Sequence, residues 1–534
     1  MRVLLGSTVC AVFWCVAFSS HAWAAEITLR MRGGSFEIKG ELKSFNLKTY
    51  VVTSPGLGTL SLDATRYECV GANCPGGAVE PRTVAAPPLT PVTTTWVGGS
   101  AIGTEFMPRL IRAYAERINA NVAMNVGADP KDLEFKLTSK EGRFLGQVNV
   151  RRQGVPQGLA AMAKGQTDVV WTSRAILPEE QQMMAAAGQP NMLQPGYQHV
   201  FALDALVVVV ARENPVVSLS LDNIAKIFAG EITDWGQVGL PPGKINVYAP
   251  SAEMGSWTYF EQAILSPRGL KVSTDAVRLS HATEWTDRVA ADPAGIGIGI
   301  GINSIAYVRK AKAVNIETPC GIVVPPSIFA AKTEEYPMAR RLYFYSPGQP
   351  QNPLARALLE FALSAELQPI LKEAKFVDQA PESLPFIAHT GRIAVALNAP
   401  AEDFDPVLMR QLIEDFRAAE RISLTFRFQG GASTLDERAR QDLARLRSVL
   451  QRRDMQGKTV MLSGYSDAVG SFAANLTLSK RRAQAVRAAL FPAGSAPPAG
   501  VTIEERAFGE LAPVACNDTN EGRGLNRRVE VWIR

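Results

Sequence analysis

The run Leu206-Val-Val-Val-Val210 sets the frame for the whole chain. Its unbroken apolar, mostly β-branched character leaves no polar face, so it predicts a strand covered on both sides. A sheet covered on both faces needs helices above and below it. Residues 108–118 supply one, with the apolar spacing of an amphipathic helix. From Trp96 to about Asp378 helical and strand-like patterns alternate, which predicts an α/β domain at 96–378 large enough for two lobes. Within it, isoleucines 296–302 alternate with glycines and read as a tight loop.

The flanks have a different texture. Short strand-like runs at 36–38, 50–52 and 59–62 are punctuated by Gly33-Gly34, Asn46 and Ser54-Pro55-Gly56. They predict a small β domain at 25–80, whose thin core a Cys69–Cys74 disulfide would help. Residues 81–95, rich in Pro and Thr, read as an extended linker. Residues 379–420 read as a connector with a helix over 406–419. The last segment, 421–534, predicts an α+β domain: strand 422–428, helix 436–450, strand 459–464, helix 479–490, then strands near 504–507 and 529–533.

The first residues carry an export signal over 1–24. Arg2 gives the positive start, 3–18 is almost wholly apolar, and Ala22-Trp23-Ala24 fits the small-x-small cleavage pattern. The apolar run is shorter than the roughly 20 residues that span a bilayer. Export to an oxidising compartment is therefore expected, and it leaves Cys320 and Cys516 either paired across two domains or as buried thiols. Lys plus Arg number 56 against 51 acids, a net +5 with no basic tail, which argues against a nucleic-acid binder. The four His (21, 199, 281 and 389) show no metal-ligand spacing, so no metal or cofactor is expected. Ser251, Asp204 and His281 can be strung into a triad on paper, but no nucleophile elbow surrounds any Ser. The chain does not read as an enzyme.

At the C-terminal end, Asp467 follows a strand and Arg482 lies in the helix that Ser479 would cap. Facing one cleft, the carboxylate would take an ammonium and the guanidinium a carboxylate, which suits a zwitterion. The same two residues could instead pair with each other, a surface bridge worth under about 1 kcal/mol. Gly464-Tyr-Ser-Asp-Ala-Val-Gly470, Asn475, Leu478-Ser479-x-x-Arg482-Ala483, Phe508-Gly509-Glu510 and Gly522-Arg-x-x-Asn526-Arg-Arg-Val-Glu530 resemble the OmpA-like peptidoglycan-binding domain. The resemblance implies a βαβαββ fold in which Asp467 and Arg482 hold the diaminopimelate of the stem peptide, with Asn475 and Arg527 in support. Tyr465-Ser466 stand where the family commonly has His-Thr.

The middle domain resembles the type II periplasmic binding proteins of ABC importers, the phosphate-type group in particular. The resemblance rests on four segments: Gly98-Gly-Ser-Ala-Ile-Gly103; Gly165-Gln-Thr-Asp-Val-Val-Trp-Thr-Ser-Arg-Ala-Ile176; Leu203–Val210 with Ile224-x-x-Ile-Phe-Ala-Gly-Glu-Ile-Thr-Asp-Trp235; and Gly295-Ile-Gly-Ile-Gly299. It implies two lobes that close over a ligand by hinge motion. Ser100, Thr172, Ser173, Arg174, Ser251 and Ser256 are the implied contacts, a set suited to an oxyanion. Three departures stand out. Ala101 replaces a usual Thr, Met254-Gly255-Ser256 replaces Ser-Gly-Thr, and Gly154-Val-Pro-Gln-Gly158 replaces Gly-Ser-Gly-Thr-Gly. Each missing charged hydrogen bond costs about 1.5–3 kcal/mol. Orthophosphate is therefore not the expected ligand, and the cleft takes another small molecule or serves as a scaffold. The sequence thus predicts a periplasmic, peptidoglycan-associated protein near the outer membrane, partnered by a small ligand and by an ABC transporter or an envelope sensor.

Overall fold

The computed structural model describes residues 26–31, 37–45, 49–64, 66–70, 91–194, 196–252, 254–279, 282–307, 311–398, 404–428, 435–493 and 495–534. The export signal, Cys74, His281 and most of the expected linker lie outside them. The chain forms two compact units, one of Met1–Arg82 with Arg452–Asp454 and one of Thr83–Gln451 with Met455–Arg534.

In the first unit, five strands form an antiparallel sheet in the order Gly58–Asp63, Thr49–Ser54, Glu37–Phe45, Glu26–Met31, Tyr67–Val70. Alternation puts Ile27, Leu29, Tyr50 and Val52 on one face, and they make its small core.

The second unit is built on a long twisted sheet. Its order is Val277–Leu279, Asn246–Pro250, Gly295–Gly301, Gln198–Ala211, Ala339–Tyr345, Val169–Thr172, Val92–Gly98, Phe144–Arg151, Asp132–Thr138, Asn121–Val126. Gln198–Ala211 runs from one lobe into the other. Its first half pairs with Ala339–Tyr345 and its second half, the Val run, with Gly295–Gly301. Every residue of the Val run is buried; one hydrophobic cluster lies within the first lobe, and a second runs from that lobe, at Leu159 and Val170, into the other, at Ile224 and Ile298.

Two expectations fail here. The Ile/Gly alternation is the strand Gly295–Gly301, not a loop. Ile296 and Ile298 are fully buried, and a Cβ on Gly299 (φ +117°) would stand 2.4 Å from Pro250 Cγ. The end of the expected linker is also ordered. Thr93, Thr94 and Thr95 belong to the strand Val92–Gly98, where Thr94 Oγ1 donates to Asp168 Oδ2 at 2.7 Å.

The C-terminal sheet runs Ser383–Pro385, Glu420–Arg427, Arg528–Ile533, Thr459–Gly464, Thr502–Ala507. Helices Glu437–Leu450 and Phe472–Leu490 and the short helix Asn520–Asn526 connect its strands. The expected connector is thus part of this domain, since it supplies an edge strand together with the helices Gly391–Leu397 and Pro406–Phe416. The helix bearing Arg482 begins seven residues earlier than the sequence suggests. Ser471 is its N-cap, and Ser479 sits inside it, its Oγ accepting from Gly509 N at 3.1 Å.

The C-terminal and two-lobed domains are joined by more than the chain. Cys320 and Cys516 form a disulfide across 196 residues. The turn Lys332-Thr-Glu-Glu335, just before the crossing strand Ala339–Tyr345, is gripped by three arginines. Arg438 Nη1 meets Glu334 Oε1 at 2.9 Å, Arg427 donates to Thr333 O, and Arg421 Nη1 meets Glu335 Oε2 at 3.1 Å.

Candidate functional site

Asp467 and Arg482 are brought together by a glycine. A Cβ on Gly464, the last residue of Thr459–Gly464, would lie 2.0 Å from Ser479 O. Only glycine lets strand and helix touch there, so the loop that follows stands against the middle of the helix. Arg482 is completely buried. Its Nη1 donates to Tyr465 O at 3.1 Å, and its guanidinium carbon lies 5.5 Å from the centre of the Phe428 ring. Its Nε and Nη2 have no partner among the described residues. Burial pulls its pKa down to about 10; Asp467 opposes the shift and Arg527 adds to it.

Asp467 makes its direct ion pair with Arg527, at 2.8 Å, rather than with Arg482. Asn475 donates to Glu510 Oε2 at 2.5 Å and is buried with it. Of the four residues named from the sequence, Asp467 and Arg527 thus pair with each other, Asn475 pairs with Glu510, and Arg482 is bonded, among the described residues, to Tyr465 O alone. The sequence did not single out Glu510 as a partner, since 35 residues separate it from Asn475.

In the two-lobed domain a cleft of about 470 Å³ lies between the lobes. Ser100, Thr172, Ser173 and Arg174 line one side; Gly255, Thr258, Tyr259 and Gln262 line the other. Two of the first group are committed elsewhere. Arg174 holds Glu180 through two bonds of 2.7 and 2.8 Å, and Thr172 Oγ1 closes a turn on Arg174 N and O. Ser251 and Ser256 do not line the cleft, contrary to expectation. The helix Gly255–Phe260 turns Thr258 and Tyr259 inward, whereas Ser256 Oγ is buried near Gly299. Arg152 and Arg340 also line it, and neither drew attention in the sequence. Arg340 bonds Asp204 at 2.7 and 3.1 Å and Gly255 O at 3.2 Å, so it ties the crossing strands to the far lobe.

No helix among the described residues is long and apolar enough to cross a membrane, and no cluster of potential metal ligands occurs among them.

Comparison with known proteins agrees with this division. Residues 141–366 match the model of a PBP superfamily domain and residues 427–527 that of the OmpA family. Protein SphX of Synechococcus elongatus is 31% identical over 206 residues, 37% of this chain and 59% of that protein. The phosphate-binding protein PstS of Borreliella burgdorferi is 26% identical over 192 residues, 34% of this chain and 66% of that protein. Outer membrane protein A of Bordetella avium is 39% identical over 106 residues, 20% of this chain and 52% of that protein. The chain thus spans about half to two thirds of the length of each relative. Two family models thus match one polypeptide, that of a PBP superfamily domain over residues 141–366 and that of the OmpA family over residues 427–527.

Proposed function

We propose that this chain is a non-catalytic envelope protein that holds peptidoglycan through its OmpA domain and presents a solute-binding domain to the periplasm. The observation that carries the first part is Arg482, a fully buried guanidinium with Nε and Nη2 unpartnered among the described residues. An unmet buried donor costs about 1–3 kcal/mol, more on a charged group. A ligand carboxylate that displaced the groups covering these atoms would recover that cost through parallel hydrogen bonds, while Asp467 accepts the ammonium of the same diaminopimelate. Asn475 and Arg527 support this pair by fixing Glu510 and Asp467.

Sedimentation of the mature protein with purified peptidoglycan tests this. Asp467→Ala with Arg482→Ala should leave the protein in the supernatant, and cosedimentation of the double variant would refute the assignment.

For the two-lobed domain we propose binding of a small solute other than orthophosphate, with an ABC transporter or an envelope sensor as the partner. The self-pairing of Arg174 with Glu180 adds to the loss of donors at Ala101, Val155 and Met254. It also favours a second reading, a degenerate cleft kept as a scaffold. Ligand-induced closure, seen as a smaller scattering radius, separates the two. We place the working units at 91–378 and 379–534, because the strand Val92–Gly98 and the edge strand Ser383–Pro385 each belong to the domain that follows them.

A further inference from the structure

Among the described residues, the cleft between the lobes is lined by two cations that form no ion pair, Lys131 and Arg152, and of the two Arg152 is the one held in place by its own hydrogen bonds. Arg152 follows the strand Phe144–Arg151. Its Nε donates to Lys131 O at 2.8 Å, its Nη1 to Thr104 Oγ1 at 3.0 Å and its Nη2 to Pro130 O at 2.7 Å. All three acceptors are uncharged, and among the described residues Arg152 forms no ion pair. Gly103 makes room for it, since a Cβ there would stand 2.6 Å from Arg152 Cγ. The side chain is thus wedged against the helix Ser100–Glu105, and the remaining guanidinium N–H groups are unspent. The other two arginines of the cleft are neutralised, Arg174 by Glu180 and Arg340 by Asp204.

A bare tetrahedral oxyanion fills about the space of two or three waters, at about 30 Å³ each. The cleft of about 470 Å³ has room for a small organic molecule as well. The wall opposite Arg152 offers a ring and neutral polar groups, from Thr258, Tyr259 and Gln262. Arg152 also stands two residues before Gly154, the N-cap of the helix Val155–Ala163, whose first residue Val155 replaces a hydroxyl donor. Charge enters this cleft from a side chain where hydroxyls are missing.

Building on the reading that the cleft binds a solute, we propose that the solute is an organic anion. Its oxyanion end, a carboxylate or a phosphate monoester, sits on the unspent N–H groups of Arg152. Its neutral polar body lies along Tyr259 and Gln262. The planar fork of the guanidinium gives either oxyanion a two-point contact that lysine could not.

The test is thermal unfolding of the full mature chain with orthophosphate, sulfate, two phosphate monoesters (glycerol 3-phosphate and glucose 6-phosphate) and two carboxylates (succinate and glutamate). At least one organic anion should raise the melting temperature more than either inorganic ion. Arg152→Gln should weaken its binding by about tenfold or more, and Arg152→Lys by less. A single cooperative unfolding transition without ligand and unchanged peptidoglycan sedimentation report that the variant is folded. Which arm responds tells monoester from carboxylate. Stabilisation by orthophosphate alone, alike in wild type and Arg152→Gln, would keep the solute-binding reading and overturn this one. An organic anion bound equally well by Arg152→Gln would do the same. No shift from any of the six compounds would overturn both.

Discussion

At the scale of single residues, burial decides what the charged side chains can do. Arg482 was legible in the sequence through its motif, but its orphaned N–H groups were not, because they follow from the walls that tertiary packing puts around it. A methionine of similar length would satisfy the packing without the unmet donors. Arg482→Met should therefore abolish sedimentation with peptidoglycan while leaving the unfolding free energy unchanged or raising it by about 1 kcal/mol, as urea unfolding would report. His389 illustrates burial acting on titration. It lies between the Phe329 and Trp532 rings, with centroids 5.2 and 5.4 Å away. Burial, then the charges of Arg421 and Arg392, lower its pKa to about 3. A histidine whose folded pKa is lowered binds its proton more readily when unfolded. Its stabilising contribution is present above the unfolded pKa of about 6.5 and is lost as pH falls. From pH 7 to pH 5 this one group should remove about 2 kcal/mol of stability. His389→Phe, which keeps the ring, should flatten that part of a pH–stability curve.

At the scale of elements, most strands and helices were readable, and the errors share a cause. The helix over Phe472–Leu490 was expected to start at Ser479, a good capping residue in isolation. Ser479 is instead inside the helix because its hydroxyl answers Gly509 N, a contact between segments 30 residues apart. The strand Gly295–Gly301 looked like a loop because glycine is a poor strand former. Here the glycines serve close approach, to Pro250 at Gly299 and to Asp204 at Gly301. Gly464 belongs to the same class, and it positions the candidate site. Gly464→Ala should cost about 3 kcal/mol or more through forced separation of strand and helix. It should also weaken peptidoglycan binding, whereas Gly500→Ala, at a turn, should leave binding unchanged; thermal unfolding and sedimentation check both.

At the scale of the whole molecule, the second unit is braced rather than loosely tethered. Glu334 takes a left-handed backbone conformation (φ 57°) at the turn before the crossing strand. Arg341 and Arg438 contact it, with Arg427 3.5 Å away. Burial pushes its pKa up, but the charges of Arg341 and Arg438 outweigh that and hold it well below the ordinary carboxylate value. Arg438→Ala leaves Glu334 still paired with Arg341, so it should destabilise the unit by only about 1–3 kcal/mol. Glu334→Leu leaves Arg341, Arg427 and Arg438 all without this carboxylate and should cost more, as denaturant unfolding of the two variants would report. Sequence by itself determined the class of each domain, because hydrophobic periodicity and turn chemistry are local, and it singled out Asp467 and Arg482 as candidates, because their motif is compact. The resolution of Cys320 and Cys516 into a disulfide, the pairing of Asp467 with Arg527 and the self-neutralisation of Arg174 were decided by tertiary structure alone. So was the uncompensated charge of Arg152. Each depends on which distant side chain arrives within a few ångströms, and spacing along the chain carries no record of that.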